Sequence, residues 1–363
     1  MTTIYLIRHA EAEGNLYRIA QGQDNSNLTD RGWRQVQALE ERFKDVHIDA
    51  VYSSDLYRTC ATASAVFKPK GLPLRRVPEL REICVGVWEQ QTWGDIYRGW
   101  PEQMKYFSFQ PHLWQVEGAE RPQDVLERGL KAVRKIAAEH DGQTVAIFSH
   151  GYIIRLMLGY LQGESLEQIG KTPTGDNTCV ALLETEGDPL RVVFRDDNSH
   201  LQTESFLAKE KAVKRANGLE SGLRYRPMDA EEHGDFFAEL MAENWEGAEP
   251  FDRDRLFSDA RVRHTLVAYR QEEAVGVIQM GPEAGWISLI CTRKDMRERG
   301  FGVQMIGQAV YRTRQLGGET LRIALRPENP ARKFFEEFGF EPQEATADAV
   351  ILEKDIRFRP EFL

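Results

Sequence analysis

Cysteine is scarce in this chain: only four of its 363 residues are cysteines, and Cys60, Cys84, Cys179 and Cys291 lie far apart. Zinc sites and disulfide frameworks draw on closely spaced cysteines, so this spacing predicts neither and favours a reducing compartment such as the cytoplasm. Long apolar runs are also missing, and none approaches the roughly 20 residues of a membrane span. The first predicted strand begins at Thr3, which leaves no room for a signal peptide. We therefore expect a cytoplasmic protein without a membrane anchor.

An excess of positive charge is absent too. The formal net charge is −10, which argues against a nucleic-acid-binding surface and requires any anionic ligand to be held by local arginines. Apolar residues are plentiful, with 41% hydrophobic and 10% aromatic residues, which is typical of globular domains. A length of 363 residues corresponds to roughly two domains. The sequence contains neither an internal repeat nor a low-complexity tract.

Two predicted buried strands each end in a histidine. Residues 3–7 form a short apolar and β-branched run followed by Arg8 and His9, and residues 143–148 form a second run that leads to His150. Ligands of open parallel sheets bind outside the carboxyl ends of the strands, so this placement predicts a binding site. The alternative interpretation is a pair of solvated strand ends with incidental charges.

A third predicted strand, residues 49–52, decides between these alternatives. It is followed by the segment SSDLYRT, which places Arg58 in the first turn of the next helix. Positive groups gathered at one rim repel each other unless an anion lies among them, and the guanidinium fork suits a phosphoryl group. The groups expected to converge there are Arg8, His9, Arg58 and His150.

Four separated motifs, at residues 8–15 (RHAEAEGN), 53–59 (SSDLYRT), 80–89 (LREICVGVWE) and 148–151 (FSHG), carry a family resemblance. Over roughly residues 1–205 the chain resembles the histidine phosphatase, or phosphoglycerate mutase-like, superfamily. The resemblance implies a three-layer α/β/α fold and a metal-independent phosphatase.

The resemblance also implies the roles of individual residues. His9 matches the nucleophile that accepts the phosphoryl group, and Glu82 matches the proton donor. The phosphate and substrate pocket is matched by Arg8, Asn15, Gln21, Arg58 and His150. Ala10 and Ala12 stand where the family usually has glycine and threonine, but neither departure removes a reacting group.

These residue types suit phosphoryl transfer. Neighbouring cations are expected to lower the pKa of His9, so that a neutral imidazole attacks phosphorus and forms a phosphohistidine. A phosphomutase remains an alternative. Mutases of this family carry an Arg-His-Tyr-Gly tract after the acidic residue, whereas this chain has ICVGVWE at residues 83–89, which favours a phosphatase.

A charged, glycine-punctuated segment, KEKAVKRANGLESG at residues 209–222, predicts a linker. The predicted organisation is a first domain at residues 1–205, a linker at 206–222 and a second domain at 223–363. A linker of this kind leads us to expect that the phosphatase works independently of the second domain.

The second half contains a glycine-rich turn, Arg297 to Gly302, that opens an amphipathic helix. A dinucleotide fingerprint would need a third glycine where Met305 stands, and a P-loop lysine is missing. A plain tight turn without a ligand is the remaining alternative. Backbone amides beside glycines at a helix start nevertheless favour a phosphate or pyrophosphate.

Together with a strand at residues 320–325 and the segment 328–340, this turn resembles the GNAT (GCN5-related) N-acetyltransferases over roughly residues 223–357. The resemblance implies an α/β domain with a mixed sheet that uses acetyl-CoA and an amine acceptor. The cofactor-binding residues that it implies are Thr292, Arg297, Gly300, Gly302 and Asn329.

One departure from this family concerns catalysis. Phe335 stands where many members have a tyrosine that protonates the departing thiolate, and Ser288 stands where a carboxylate is common. Transfer of an acetyl group to an amine is the favoured activity. The alternative is a non-catalytic acetyl-CoA-binding domain with a regulatory role.

Overall fold

The computed structural model describes residues 1–208, 210, 222–244 and 264–363. Within them the chain forms two sheets, one in each half. The first sheet has six strands in the order β3-β2-β4-β1-β5-β6. Its strands are β1 (Thr2–Arg8), β2 (Ala50–Ser53), β3 (Leu74–Arg76), β4 (Thr144–Ser149), β5 (Val180–Thr185) and β6 (Arg191–Asp197). The first four strands are parallel to one another, and β5 and β6 are antiparallel to their neighbours.

Helices cover both faces of this sheet, because its central strands β2, β4 and β1 are largely buried on both sides. The helices are α1 (Glu13–Tyr17), α2 (Asp30–Phe43), α3 (Tyr57–Lys70), α4 (Trp93–Gly99), α5 (Pro101–Phe109), α6 (Pro122–Glu139), α7 (Gly151–Leu161) and α8 (Glu204–Leu207). Apolar residues of α2 and α3 pack in one core, and those of α6 and α7 pack in another core that includes Ile4 and Val145. The predicted three-layer α/β/α architecture is confirmed.

The second sheet has seven strands in the order β12-β13-β11-β10-β9-β8-β7. They are β7 (Arg224–Pro227), β8 (Thr265–Arg270), β9 (Glu273–Met280), β10 (Trp286–Thr292), β11 (Thr320–Leu325), β12 (Glu341–Ala345) and β13 (Val350–Asp355). Only β10 and β11 pair in parallel, and the other neighbours are antiparallel. The predicted mixed sheet is therefore confirmed.

Three helices pack on this sheet: α9 (Ala230–Asn244), α10 (Phe301–Gln315) and α11 (Ala331–Glu337). The predicted apolar face of α10 is buried, with Val303, Ile306 and Val310 at most 3% exposed. The sequence predicts a helix from about Ala230 through Trp245, and Trp245 lies outside the described residues. Strands β3 and β12 are not predicted, because their short or exposed runs lack a clear apolar pattern. Strand β13 is not predicted either, although its Val350 and Leu352 are apolar and buried.

The two halves share packed surfaces. Tyr17 of α1 is 5% exposed and belongs to the apolar core of the second half. Conversely, Phe362 near the end of the chain is buried against Trp33 and Tyr57 of the first half. These contacts join the two halves, and the expectation that the phosphatase works independently of the second domain stays a prediction. Most of the predicted linker, residues 209 and 211–221, lies outside the described residues, and the domain boundaries stay a prediction.

None of the described helices is long and apolar enough to cross a membrane.

Candidate functional site

Two histidines stand side by side at the carboxyl edge of the first sheet. Strands β1 and β4 are parallel neighbours, and Arg8 is in register with Ser149. His9 and His150 each follow one of these residues, so their rings meet with centroids 5.3 Å apart. Both are buried, at 4% and 0% exposure. The convergence predicted from two separate strand ends is present for this pair.

The hydrogen bonds of His9 define its tautomer. Its Nδ1 lies 2.7 Å from the carbonyl oxygen of Ala10, which can only accept, so Nδ1 carries the proton and Nε2 keeps a lone pair. Burial, and then the charges of Arg58 and Arg8, lower the pKa of His9 well below its usual value. The ring is thus neutral at physiological pH, as a nucleophile requires.

Two arginines flank the histidines, and both are bonded to backbone carbonyls. Arg58 donates from Nη1 to the oxygen of Asp24 at 2.8 Å and from Nη2 to that of Gly22 at 2.7 Å. Arg8 donates from Nη1 to the carbonyl oxygen of Gly175. Burial lowers the pKa of Arg58 to about 10, which leaves it charged at neutral pH.

Each of these groups keeps an unused polar atom. The Nε atoms of Arg8 and Arg58 and the Nδ1 of His150 are buried and have no hydrogen-bond partner among the described residues. Buried polar atoms without partners are costly. These three atoms, two of which belong to charged guanidinium groups, fit an anion with several oxygens. The residues present therefore fit a phosphoryl group.

The second histidine is oriented from the third strand end. His150 Nε2 lies 2.8 Å from the hydroxyl oxygen of Ser54, which follows β2. Burial, followed by the charge of Arg58, lowers the pKa of His150 well below its usual value. A neutral His150 interacts with an anion through a hydrogen bond and adds no positive charge of its own.

The side chain of Glu82 lies at the N-terminus of α7, the helix that begins directly after His150. Its Oε2 accepts from the backbone N–H of Tyr152 at 3.0 Å, and its Oε1 accepts from that of Ile153 at 3.1 Å. Arg128, which the sequence analysis missed, donates to the Glu82 carbonyl oxygen at 3.0 Å. The carboxyl group is thus held at the start of α7, close enough to the two arginines that its charge opposes the lowering by burial and raises the pKa of both Arg8 and Arg58.

Asn15 lies on α1, the helix that follows the His9 loop. Its Oδ1 accepts from the backbone N–H of Ala12 at 3.0 Å, so its amide group caps the turn. The side chain of Gln21 lies against Gly14, next to Asn15. Asn177 was missed by the sequence analysis; its Nδ2 donates to the His9 carbonyl oxygen at 3.0 Å. The signal that could have found it is its position just before β5, at the same edge of the sheet.

The loop that holds Arg58 contacts a buried carboxyl group. Glu89 Oε1 accepts from the backbone N–H of Gln23 at 3.0 Å and from that of Val85 at 3.1 Å. Its Oε2 is buried and has no partner among the described residues. Burial raises the pKa of Glu89 to about 7. The group joins the loop of Gly22 and Asp24 to the LREICVGVWE motif and changes its protonation near neutral pH.

In the second half, β10 and β11 pair only where β10 begins, Trp286 with Arg322 and Ile287 with Ile323 in the middle of β11. Beyond this point no further pairing occurs among the described residues, so the two parallel strands splay apart. A bulge in β10 after Ile287 accompanies the splay. Thr292, the last residue of β10, lies at its open end.

The glycine-rich turn lies between β10 and α10. Gly300 has a φ of 78° and directly precedes the helix, a conformation that side chains disfavour. Arg297 is exposed, and its guanidinium donates to the Oδ1 of Asn244. The first N–H groups of a helix have no partner within the helix, so the turn offers backbone donors beside a cation. This arrangement fits a pyrophosphate.

Other predicted residues of this half have structural contacts. A Cβ built on Gly302 would lie 2.9 Å from the Cζ of Phe334, so packing also favours glycine there. Asn329 Oδ1 accepts from the backbone N–H of Ala331 and caps α11. Phe335 is 3% exposed and lies in the apolar core, so no proton donor occupies that position.

The described residues contain no group of three or more His, Cys, Asp or Glu side chains that could hold a metal ion. The four cysteines are free thiols.

Comparison with known proteins identifies both halves. The sequence model of the histidine phosphatase superfamily (branch 1) matches residues 4–198, and that of an acetyltransferase (GNAT) domain matches residues 252–357. Both resemblances drawn from the motifs are confirmed by these matches.

Two curated relatives and one solved structure resemble part of the chain. Phosphoserine phosphatase 1 of Hydrogenobacter thermophilus is 30% identical over 186 residues, which are 51% of this chain and 88% of that protein. A metal-independent phosphoserine phosphatase of Arabidopsis thaliana is 32% identical over 212 residues, 58% of this chain and 87% of that protein. The structure of Bacillus stearothermophilus YhfR is 33% identical with a TM-score of 0.54, covering 55% of this chain and 100% of its own.

The pKa of Glu89 predicts a pH dependence of stability. Because burial raises this pKa from an ordinary value of 4.5 to about 7, the unfolded chain releases the proton first. The free energy of unfolding should fall as pH rises from about 4.5 to about 7, by on the order of 1 kcal/mol once partial exposure is allowed for. Glu89→Gln keeps the Oε1 acceptor and removes the ionisation, so this decrease should be absent from the variant.

Denaturant unfolding at about pH 5 and about pH 8 measures the difference. The exposed Glu79→Gln is the matched control and should keep the wild-type dependence. Identical pH dependence in wild type and Glu89→Gln would contradict the assignment.

Proposed function

The chain belongs to the histidine phosphatase superfamily and carries a GNAT acetyltransferase domain, and from this premise we propose that it is a bifunctional enzyme. The first activity is metal-independent hydrolysis of a small phosphomonoester through a phosphohistidine on His9. The second is transfer of an acetyl group from acetyl-CoA to an amine. The observation that carries the first activity is the neutral His9, with Nε2 as its free nitrogen, among buried polar atoms that lack partners.

The hydrolysis proceeds in two steps. His9 Nε2 attacks phosphorus, an N–P bond forms, and the bond to the leaving oxygen breaks while Glu82 transfers a proton to that oxygen. Water then attacks the phosphohistidine, Glu82 accepts its proton, and inorganic phosphate leaves. Arg8, Arg58 and the Asn15 amide stabilise the charge on the phosphoryl oxygens in both steps.

The substrate class is a small phosphomonoester. Phosphoserine is the first compound to test, because two relatives at 30% and 32% identity are named phosphoserine phosphatases. An aryl phosphate is the generic substrate for the experiments below, since its leaving group needs little help from a proton donor.

For the second activity, the residues present fit acetyl-CoA. Gly300 and the start of α10 offer backbone donors for the pyrophosphate, Arg297 adds a positive charge, and the splay between β10 and β11 leaves room for an extended chain. When bound, the cofactor supplies the acetyl group. Phe335 favours a second candidate function, a domain that binds acetyl-CoA without transferring its acetyl group, because this buried ring has no proton to give.

Replacing the nucleophile tests the phosphatase. His9→Ala should abolish hydrolysis of an aryl phosphate and the mass increase of a trapped phosphoenzyme, since no other described imidazole lies in the pocket with a free Nε2. His112→Ala, an exposed histidine, is the matched control and should hydrolyse like wild type. EDTA should not affect the wild-type rate. Near wild-type turnover in His9→Ala would refute the assignment.

Replacing the proton donor separates two leaving groups. Glu82→Gln should lower kcat by on the order of 10²–10⁴-fold with an alkyl phosphate, whose alkoxide leaves only with a proton. The loss should be smaller with a nitrophenyl phosphate, because nitrophenolate leaves unprotonated. Glu79→Gln should change neither rate. Equal losses for both substrates in Glu82→Gln would show that Glu82 has a different role.

Acetyl-CoA binding tests the second domain without assuming catalysis. Arg297→Glu should weaken binding by about 10-fold or more, because an attraction to the pyrophosphate becomes a repulsion. Arg312→Glu makes the same charge change near the other end of α10, roughly 16 Å away, and should bind like wild type. Calorimetry of the three proteins decides: no binding to wild type, or equal affinities, would reject the proposal. Gly302→Asp is a less selective probe, because it also meets Phe334.

A further inference from the structure

The helix that carries Asn15 lies against the acetyltransferase domain. α1 has only five residues, too few for a stable isolated helix, so its position depends on tertiary contacts. Tyr17 packs so closely on α10 that a Cβ built on Gly307 would lie 2.5 Å from the Tyr17 Cβ. Leu16 and Ile19 also contact the apolar core of the second domain. Part of the phosphate pocket is thus built on a surface of the other domain.

An ion pair fixes the same helix. Arg314 of α10 donates from Nη1 to Glu13 Oε2 at 2.7 Å and from Nη2 to Glu13 Oε1 at 3.0 Å. The Glu13 side chain is 8% exposed and that of Arg314 24% exposed. Such a bidentate pair, partly shielded from water, restrains orientation as well as distance. Glu13 stands two residues before Asn15 and four after His9.

Arg314 also binds the segment that follows β13. Its Nε and Nη2 donate to the Ile356 carbonyl oxygen at 3.1 and 2.7 Å, and its guanidinium lies 4.9 Å from the centroid of the Phe358 ring. Asn27 Nδ2 of the first domain donates to the same Ile356 carbonyl at 3.2 Å. One guanidinium thereby joins α1, α10 and the C-terminal segment.

The C-terminal segment contacts Tyr57, the residue that precedes the second arginine of the phosphate pocket. The ring of Phe358 packs on Tyr57 with centroids 5.1 Å apart, and the backbone N–H of Arg359 donates to the Tyr57 hydroxyl at 3.3 Å. Tyr57 immediately precedes Arg58 in the first turn of α3. Contacts therefore lead from Arg314 to Glu13, on the same short helix as Asn15, and through Phe358 to Tyr57, the residue before Arg58.

We propose that Arg314 of the acetyltransferase domain is a positioning residue for the phosphatase site, acting through Glu13 on Asn15 and through Phe358 on Arg58. The inference rests on the proposed phosphatase function. It makes the phosphate pocket depend on the second domain, although none of that domain's described residues lines the pocket. A displacement of about 1 Å in such groups lowers a rate by up to about 10²-fold.

Arg314→Met keeps the apolar stem and removes the bonds to Glu13 and Ile356. With an aryl phosphate, kcat should fall by about 10- to 100-fold while KM changes little, because the displaced groups act on the transferring phosphoryl group. Arg314→Lys should recover part of the loss. Arg312→Met, on the same helix and without a described contact to the first domain, is the matched control and should keep the wild-type kcat.

A double-variant cycle separates positioning from loss of stability. If Arg314 acts through Asn15, Arg314→Met should lower kcat less in an Asn15→Ala background than in wild type. Because Arg314→Met leaves Glu13 unpaired, Glu13→Gln/Arg314→Met is made as well. It should fold as stably as wild type to within a few degrees of Tm and still have the lowered kcat. Wild-type kcat in a folded Arg314→Met, or the same fold loss with and without Asn15, would overturn the proposal.

Binding of inorganic phosphate, measured by calorimetry on the same variants, tests the positioning role without depending on phosphatase activity. A wild-type protein that hydrolyses no phosphomonoester would end the phosphatase proposal. A weaker affinity for phosphate in Arg314→Met than in Arg312→Met would still support the positioning role, and equal affinities would reject it.

Discussion

Burial of positive charge at the edge of the first sheet is the constraint on which the rest of the structure depends. Two guanidinium groups lie beside two histidines, and neither Arg8 nor Arg58 has a carboxylate ion pair among the described residues. Carbonyl oxygens of Gly22, Asp24 and Gly175 accept from these groups and offset part of the charge. The arrangement persists because parallel strands, the α3 start and the loops around them hold each group from a different direction. An anion that fits this pocket would offset the positive charge that the carbonyl oxygens leave.

The same charges set the chemistry of the histidines. In water an imidazole is half protonated near pH 6.5, whereas burial and the neighbouring arginines keep His9 and His150 neutral. The Ala10 carbonyl then selects the tautomer of His9, and Ser54 orients His150. One electrostatic arrangement thus provides both a pocket that fits an anion and the neutral imidazole that the proposed hydrolysis requires.

The second domain contacts the short helix α1, which lies beside this arrangement. Short elements such as α1 have little stability of their own, and here they are stabilised by Tyr17 in the neighbouring core and by the pair of Glu13 with Arg314. The glycine-rich turn that fits a pyrophosphate opens the same helix, α10, that carries Gly307 and Arg314. The turn that fits a pyrophosphate and the contact with α1 therefore lie at opposite ends of one helix.

The sequence by itself determined the two families and the α/β class of each half, and it predicted the residues of the phosphate pocket, because all of these depend on strand ends and local motifs. Because β1 and β4 pair in parallel, two motifs that are distant in the sequence place the rings of His9 and His150 side by side, as the motifs implied. Only the tertiary structure decided the contacts of Asn177 and Arg128 and the raised pKa of Glu89, since these depend on distant segments and on burial. It also decided that the halves share cores, because a linker's composition says nothing about what the domains it joins will bury against each other.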